Sequence, residues 1–158
     1  YTLANDLNME MIGRILSTRY LESIREREGG SYGVGVAGQM TILPKPQAVL
    51  LMQFDTDPKK QARLMEIIHE EVQTIVENGP LASDLQKEKE SMLKDYQEDL
   101  EKNSYWRTAL YMYYLYGQNN IRDYKTAVEN ITAASVQNTL KQLVAANNMF
   151  EVVMFPEK

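Results

Sequence analysis

Residues 24–36 read IREREGGSYGVGV, and this stretch joins a predicted helix to a predicted strand. Before it, apolar side chains recur every four residues, so we predict a helix over residues 7–27. Gly29 and Gly30 can adopt the positive φ that ends a helix. After them, residues 32–36 alternate bulky and small side chains, which is typical of a β-strand. The chain therefore reverses direction sharply between the two elements.

The glycines in this stretch match two functional motifs, and both matches fail on context. Gly33, Gly35 and Gly38 fit the dinucleotide pattern G-x-G-x-x-G, whereas Gly29, Ser31 and Gly33 fit the nucleophile elbow G-x-S-x-G. Both motifs require a strand before the glycines and a helix after them. Here the predicted order is inverted. We expect neither a nucleotide site nor a serine nucleophile.

Composition excludes several classes of protein. The 158 residues carry a net charge of −5, with 17 Lys and Arg against 22 Asp and Glu, so we expect no nucleic-acid partner. No run approaches the about 18 apolar residues of a membrane span, and we expect none. The chain has no cysteine and one histidine, His69. Residues 69–73, HEEVQ, lack the second histidine of the zinc motif H-E-x-x-H, so we expect no metal bound by this chain.

The remaining elements segregate into strands and helices, so we predict an α+β domain over residues 1–158. Its sheet should be antiparallel or mixed, with three to four strands covered on one face by helices. The predicted strands are 32–36, 48–54 and 149–155. The predicted helices after the first are 57–78, 83–102, 105–116 and 121–129, and one that Thr132 begins.

Three helix starts carry capping signals. Asp57 and Pro58 resemble a cap followed by proline at the first helical position. Ser83 with Gln86 resembles a capping box, and Thr132 is a suitable cap for the last helix. The sequence Asn-Gly-Pro at 78–80 should end the helix that Asp57 begins.

The sharp reversal has a possible chemical consequence. Arg25 lies in the last turn of the predicted helix and Tyr32 at the first bulky position of the strand, so a two-glycine turn can bring both side chains to one rim. A guanidinium and a phenol both donate hydrogen bonds to a carbonyl oxygen or a developing oxyanion. The alternatives are a solvated Arg25 among glutamates and a partly buried Tyr32. Gly33, Gly35 and Ala37 would let a helix pack closely on the strand.

Residues 105–116, YWRTALYMYYLY, hold the single Trp and five of the ten tyrosines. Aromatic residues at helical spacing are usually part of a core, so we favour a buried helix with tyrosine hydroxyls at its edge. The functional alternative is a wall of a substrate chamber or a domain interface.

The stretch IREREGGSYGVGV resembles the Arg–Tyr segment in the C-terminal domains of the M16 metallopeptidases, the insulinase and pitrilysin group. The order of later features is also similar: an amphipathic helix ending Asn-Gly-Pro, Ser83-Asp84-Leu85 opening a long helix, and the TAASV segment after Thr132. This resemblance covers nearly the whole chain. It implies a LuxS/M16-metallohydrolase-like fold.

The resemblance also implies that the catalytic groups are divided between two domains. In this family one domain binds zinc, and the C-terminal-type domain contributes an arginine and a tyrosine seven residues apart to the scissile carbonyl. Arg25 and Tyr32 match that pair. We therefore expect a fragment of a peptide-hydrolysing zinc enzyme, with zinc held by a partner domain in the same polypeptide or a separate subunit. The isolated domain should be inactive.

Two other functions remain open. The chain could be a catalytically inactive scaffold or chamber subunit of the same fold. An independent enzyme acting through Ser31 or His69 is disfavoured because neither has the necessary partners. The compartment, periplasmic or cytoplasmic, stays open.

Overall fold

The computed structural model describes residues 1–27 and 34–155. Within them the chain forms six α-helices, one π-helical segment and two β-strands. In order these are α1 (Leu3–Tyr20), the π segment (Leu21–Arg27), β1 (Val34–Thr41), β2 (Gln47–Phe54), α2 (Gln61–Asn78), α3 (Ala82–Asp99), α4 (Asn103–Tyr116), α5 (Asn120–Glu129) and α6 (Ala133–Ala145). The predicted α+β class is confirmed.

Helix α1 is the centre of the domain. It packs on β1 on one side and against α2, α3, α5 and α6 on the others. The residues of α1 that it buries in the core are Leu7, Met9, Met11, Ile12, Ile15, Leu16 and Tyr20. Thr2 begins the helix, because its side-chain oxygen accepts the N–H of Asn5. Burial of these side chains supplies most of the free energy that holds the helix in place.

The sheet in the described residues has two antiparallel strands, not the three to four predicted. Its register runs from Val34 opposite Phe54 to Thr41 opposite Gln47. One face of the sheet, which includes Val36 and Met52, packs against the core, and the other face is exposed.

The predicted close packing on the small face of β1 is wrong for Gly35 and Ala37, since the side-chain positions of both lie on the exposed face, and Gly33 lies outside the described residues. Helix α1 instead approaches the inward face at Gly38. A Cβ atom added to Gly38 would lie 1.9 Å from the carbonyl oxygen of Met9. A Cβ on Gly13 of α1 would lie 2.8 Å from the amide nitrogen of Gly38. The two glycines therefore allow direct contact between the backbones of helix and strand.

The predicted strand over 149–155 is wrong in the described structure. The segment is not part of the sheet, and its apolar side chains are exposed. A strand requires a neighbour to accept and donate its backbone hydrogen bonds, and residues 1–27 and 34–155 place none beside this segment.

The capping predictions have different outcomes. Helix α2 begins at Gln61, because residues after Asp57 form a turn in which its carboxylate accepts the N–H of Lys59. Helix α3 begins after Leu81, so the capping box predicted at Ser83 is wrong. The cap at Thr132 is confirmed.

Two helix boundaries agree with the sequence. The Thr132 side chain accepts the N–H of Ser135, and the Ser135 hydroxyl reaches back to the N–H of Thr132. Helix α2 ends at Asn78 as predicted, and Gly79 follows with φ 77° and donates its N–H to Ile75. Both boundaries rest on local backbone hydrogen bonds, which is why neighbouring residues suffice to predict them.

Candidate functional site

The predicted Arg–Tyr pair lies where the described chain is interrupted. Arg25 is in the π segment, for which the backbone is described at this position, whereas Tyr32 lies outside the described residues. Gly29, Gly30 and Ser31 lie outside them as well. The hypothesis that both side chains meet at one rim therefore stays a prediction.

The two elements that flank this stretch are fixed to the same core. Ile24, the residue before Arg25, is fully buried, and Val34 packs against the same cluster of apolar side chains. The helical backbone continues to Arg27 as a π-helix, a geometry that is rare and frequently occurs at functional sites. The helix at Ile24 and the first described residue of the strand are therefore both anchored in the same core.

Tyr20 anchors the end of α1. Its ring is fully buried, and its hydroxyl donates a hydrogen bond to the carbonyl oxygen of Ile68 at 3.0 Å, with the sulfur of Met52 at 3.4 Å. Burial, together with the negative charge of Glu71, raises the pKa of Tyr20 above its usual value. The hydroxyl is consequently a neutral structural donor, and it ties α1 to α2 five residues before Arg25.

Arg19 fixes the same turn electrostatically. Its guanidinium contacts Glu71 at 2.6 Å and Asp84 at 3.6 Å. Burial lowers the pKa of Arg19, but the hydrogen bond to Glu71 and the charges of both carboxylates outweigh it, and the pKa is raised. The ion pairs of Arg19 therefore connect α1 to α2 and α3.

Arg14, one turn earlier, is held in the same way by Glu10 at 2.9 Å and Asp95 at 2.8 Å. The sequence signals only the Glu10 pairing, since that partner is four residues away on the same helix. The second carboxylate, that of Asp95 on α3, is brought near Arg14 only by the tertiary structure. Arg14 and Arg19 are both structural cations of α1.

His69 contacts the segment that follows α6. Its Nε2 lies 2.8 Å from a carboxylate oxygen of Glu151, and the amide of Gln73 donates to Glu77. Within the described parts of the chain, no group of three or more His, Cys, Asp or Glu side chains is placed to hold a metal ion. The HEEVQ segment is thus the polar flank of an amphipathic helix.

Helix α4 is largely exposed, whereas the favoured prediction was a buried helix. Within this helix, only Ala109 is buried, whereas Tyr114 is 79% exposed and Trp106, Leu110, Tyr111, Tyr113 and Leu115 are exposed too. We call these six exposed side chains the α4 face. The prediction of a buried helix is wrong, because among the described elements α4 packs mainly on α5. An exposed apolar face of this kind is a candidate interaction surface.

A cavity of about 350 Å³ adjoins the end of the α4 face. Tyr111, Met112 and Tyr116 line it from α4, Met40 lines it from the end of β1, and Leu43 lines it from the connection to β2. One carboxylate, Asp6, is also in the lining, where it accepts the N–H of Met40 and the hydroxyl of Tyr1. In the sequence, only the aromatic run at 105–116 pointed to this cavity, because the other lining residues are far from that run along the chain.

Known proteins match this chain in fold but not in sequence. No protein-family model matches the sequence, and no curated protein matches it. Solved structures do match. A conserved protein from Enterococcus faecalis V583 superimposes with a TM-score of 0.74 at 15% identity, over 85% of this chain and 32% of that chain. A protease from Helicobacter pylori gives 0.70 at 13% identity, over 89% and 34%.

A third structure decides the fold family. The inactive domain of an M16 peptidase from Pseudomonas fluorescens superimposes with a TM-score of 0.67 at 16% identity, over 85% of this chain and 33% of that chain. The chain has the fold of an M16 peptidase domain. The resemblance predicted from IREREGGSYGVGV is confirmed at the level of the fold.

In each of the three solved structures, the region that matches this chain is part of a longer chain. The chain spans about a third of the length of the three solved chains, with 32%, 34% and 33% covered. At identities of 13% to 16% these likenesses establish the M16 fold alone. None of the described helices combines the length and apolar character needed to cross a membrane.

Proposed function

We propose that this chain is the non-zinc-binding half of a zinc metalloendopeptidase. The observation that carries the proposal is the M16 fold, shared with a structure described as an inactive M16 peptidase domain. The sequence agrees with this division, since it contains one histidine and no cysteine. In this proposal the zinc ligands belong to a partner domain, either in the same polypeptide or in a separate subunit.

Arg25 and Tyr32 are the proposed catalytic residues. Zinc in the partner domain would supply an activated water for attack on the peptide carbon. Arg25 would donate N–H groups and Tyr32 its O–H group to the carbonyl oxygen as it becomes negative. What supports the assignment is their seven-residue spacing and the burial of Tyr20 and Ile24, which anchors the helix that carries Arg25 in the core.

The α4 face is the proposed chamber wall. Its tyrosines, leucines and tryptophan present apolar surface with polar tips, which suits an extended peptide of varied sequence. Tyr113 and Tyr114 pack edge to face with ring centroids 5.3 Å apart, so part of the face is already ordered. Ordering before binding lowers the entropic cost of holding a peptide.

A second candidate function is an inactive chamber or assembly subunit. The exposed α4 face also favours this role, because a protein partner could cover it. Such a subunit would need the α4 face and would have no use for the donors of Arg25 and Tyr32. The two candidates therefore differ in what the Arg–Tyr pair does.

The test is substitution of the pair in the complete enzyme, with the zinc domain present. Arg25→Lys and Tyr32→Phe are each expected to lower kcat about 10² to 10³-fold, as for removal of an oxyanion donor, with zinc content unchanged. Arg122→Lys is the matched control, since Arg122 is exposed on α5 and paired with Asp123. Turnover within a few-fold of the unmodified enzyme for both variants would reject the catalytic role and favour the assembly subunit.

A further inference from the structure

The cavity of about 350 Å³ beside the end of α4 combines tyrosine rings with one carboxylate. Its volume lies within the range of about 300 to 1,000 Å³ that is typical of small-molecule sites. Three tyrosines line it, and they come from two distant parts of the chain: Tyr1, Tyr111 and Tyr116. Tyr111 is 53% exposed, so the cavity opens to solvent on the side of α4. The cavity is therefore large enough and accessible enough to hold a small ligand.

The charge of the lining indicates the kind of ligand. Of the described residues that line the cavity, Asp6 alone carries a charged side chain. One of its carboxylate oxygens accepts the N–H of Met40 at 2.9 Å, and the other accepts the hydroxyl of Tyr1 at 3.1 Å. These bonds use about half of the acceptor sites of a carboxylate. Among the side chains that the structure describes, no cation is paired with Asp6, so its negative charge favours a positively charged ligand.

The tyrosine rings provide a second attraction for a cation. Tyr111 and Tyr116 meet edge to face, with ring centroids 6.1 Å apart and planes inclined by 71°, and so form a corner. Tyr1 adds a third ring beside Asp6. Burial, and then the negative charge of Asp6, raises the pKa of Tyr1 to about 12, so its phenol stays neutral. The faces of neutral aromatic rings attract ammonium groups, and several rings around one cation form an aromatic cage.

The rest of the lining suits the hydrocarbon part of an organic cation. Met40 and Met112 contribute flexible thioether side chains, and Ile42 and Leu43 contribute aliphatic ones. A metal ion such as Ca²⁺ requires several oxygen ligands instead. Within the described chain, no group of three or more His, Cys, Asp or Glu side chains is placed to supply them. The lining therefore matches an organic cation better than a metal ion.

We propose that this cavity binds an alkylammonium group, with Asp6 as its counter-ion and with Tyr1, Tyr111 and Tyr116 as an aromatic cage around it. Two sources carry this chemistry, a free methylated amine and the side chain of a lysine. The inference concerns binding alone, so it does not depend on the proposed peptidase function.

Methionine-methyl NMR of the complete protein tests the site directly, because Met40 and Met112 line the cavity. The probes are choline and its neutral analogue, in which a carbon atom replaces the nitrogen. Choline is expected to shift both methyl signals and to bind at least about 10-fold more tightly than the analogue. Met149 and Met154 lie outside the lining and report nonspecific binding. Equal affinities of the two probes, no binding of choline, or shifts confined to Met149 and Met154 would overturn the proposal.

Substitutions test the carboxylate and the rings separately, with the preference for choline over its analogue as the readout. Asp6→Asn keeps an oxygen that accepts the N–H of Met40 but removes the charge, and should lower the preference at least about 3-fold. Tyr116→Leu removes one ring and should lower it by a similar factor. Asp123→Asn is the matched control, because Asp123 is a carboxylate on α5 outside the lining, and it should leave the preference unchanged. An unchanged preference in Asp6→Asn or Tyr116→Leu would overturn the site.

A second pair of probes identifies the source of the ammonium group. N-acetyl-lysine amide and N-acetyl-norleucine amide differ in the ammonium group at the end of the side chain. Tighter binding of the lysine amide than of choline would assign the site to a lysine side chain, and the reverse order would assign it to a free methylated amine. Either order supports an ammonium site, whereas failure of both ammonium probes to exceed their neutral partners would reject it. These readouts do not involve peptide hydrolysis, so they stand whether or not Arg25 and Tyr32 prove catalytic.

Discussion

The hydroxyl of Tyr20 donates a 3.0 Å hydrogen bond to the main-chain carbonyl of Ile68. Tyr20 is the last residue of α1, and the π segment that carries Arg25 begins directly after it. Ile68 lies in the middle of α2, one residue before His69. This single contact therefore joins the helix of the proposed catalytic arginine to the helix that holds the C-terminal segment.

Removing this hydroxyl should destabilise the domain. Tyr20→Phe is expected to lower the free energy of unfolding by about 1 to 2 kcal/mol, the usual effect of losing one buried hydrogen bond. Urea unfolding followed by circular dichroism measures it. Tyr114→Phe is the control, because Tyr114 is on the exposed α4 face, and it should stay within about 0.5 kcal/mol of the unmodified protein. Equal effects of the two substitutions would contradict the anchoring role of Tyr20.

Stability should fall at alkaline pH. Burial and then the charge of Glu71 raise the pKa of Tyr20, and burial followed by the charge of Asp6 raises that of Tyr1 to about 12. Above the unfolded tyrosine pKa of about 10, the unfolded chain releases protons that the folded chain keeps, so unfolding becomes easier as pH rises. The stabilisation is complete below about pH 10 and is lost progressively above it.

Tyr20→Phe should make this pH dependence shallower. A single such group contributes a slope of at most about 1.4 kcal/mol per pH unit, and the variant lacks it. Denaturant unfolding at pH 9, 10 and 11 gives the slope for each protein. Parallel slopes for Tyr20→Phe and the unmodified chain would show that Tyr20 does not carry the effect.

The contact between α1 and β1 predicts opposite results for two glycines of the same strand. Gly38→Ala places a Cβ atom 1.9 Å from the Met9 carbonyl oxygen, so helix and strand must separate, and we expect a loss of at least about 3 kcal/mol. Gly35→Ala meets only the Gln53 carbonyl at 3.7 Å, which is an ordinary contact.

Since alanine loses less backbone freedom than glycine on folding, Gly35→Ala should leave stability unchanged or raise it by up to about 1 kcal/mol. Thermal unfolding of both variants distinguishes the positions. Tolerance of alanine at Gly38 would show that the two backbones are not in direct contact.

The helix caps provide a second matched pair. Thr132→Ala removes the oxygen that accepts the N–H of Ser135 at 3.0 Å, and should cost about 1 kcal/mol. Ser83→Ala should cost less than about 0.5 kcal/mol, because α3 begins before Ser83 and its hydroxyl caps no helix. Chemical denaturation of the two proteins side by side measures the difference. A larger loss at Ser83 than at Thr132 would reverse the assignment of the caps.

Sequence pattern alone determined most elements of the M16 fold. Apolar spacing predicted α1, β2 and α2, and the Thr132 cap and the Gly79 helix end were predicted correctly because both depend on neighbouring residues. The Arg–Tyr segment in IREREGGSYGVGV pointed to the M16 fold even though the sequence matches no family model. Features that depend only on neighbouring residues, such as helix caps and helix ends, can be predicted without coordinates.

Tertiary structure alone decided which surfaces are covered. Residues 105–116 have the composition of a core helix, yet α4 is exposed, because among the described elements it packs mainly on α5. Residues 149–155 have the composition of a strand, yet within residues 1–27 and 34–155 they pair with no other strand, and a strand requires a second one beside it. Likewise, the close approach of α1 falls at Gly38 and not at Gly35, since the packing of the helix selects one face of the sheet. Burial and pairing are properties of two segments at once, and one segment's sequence cannot specify them.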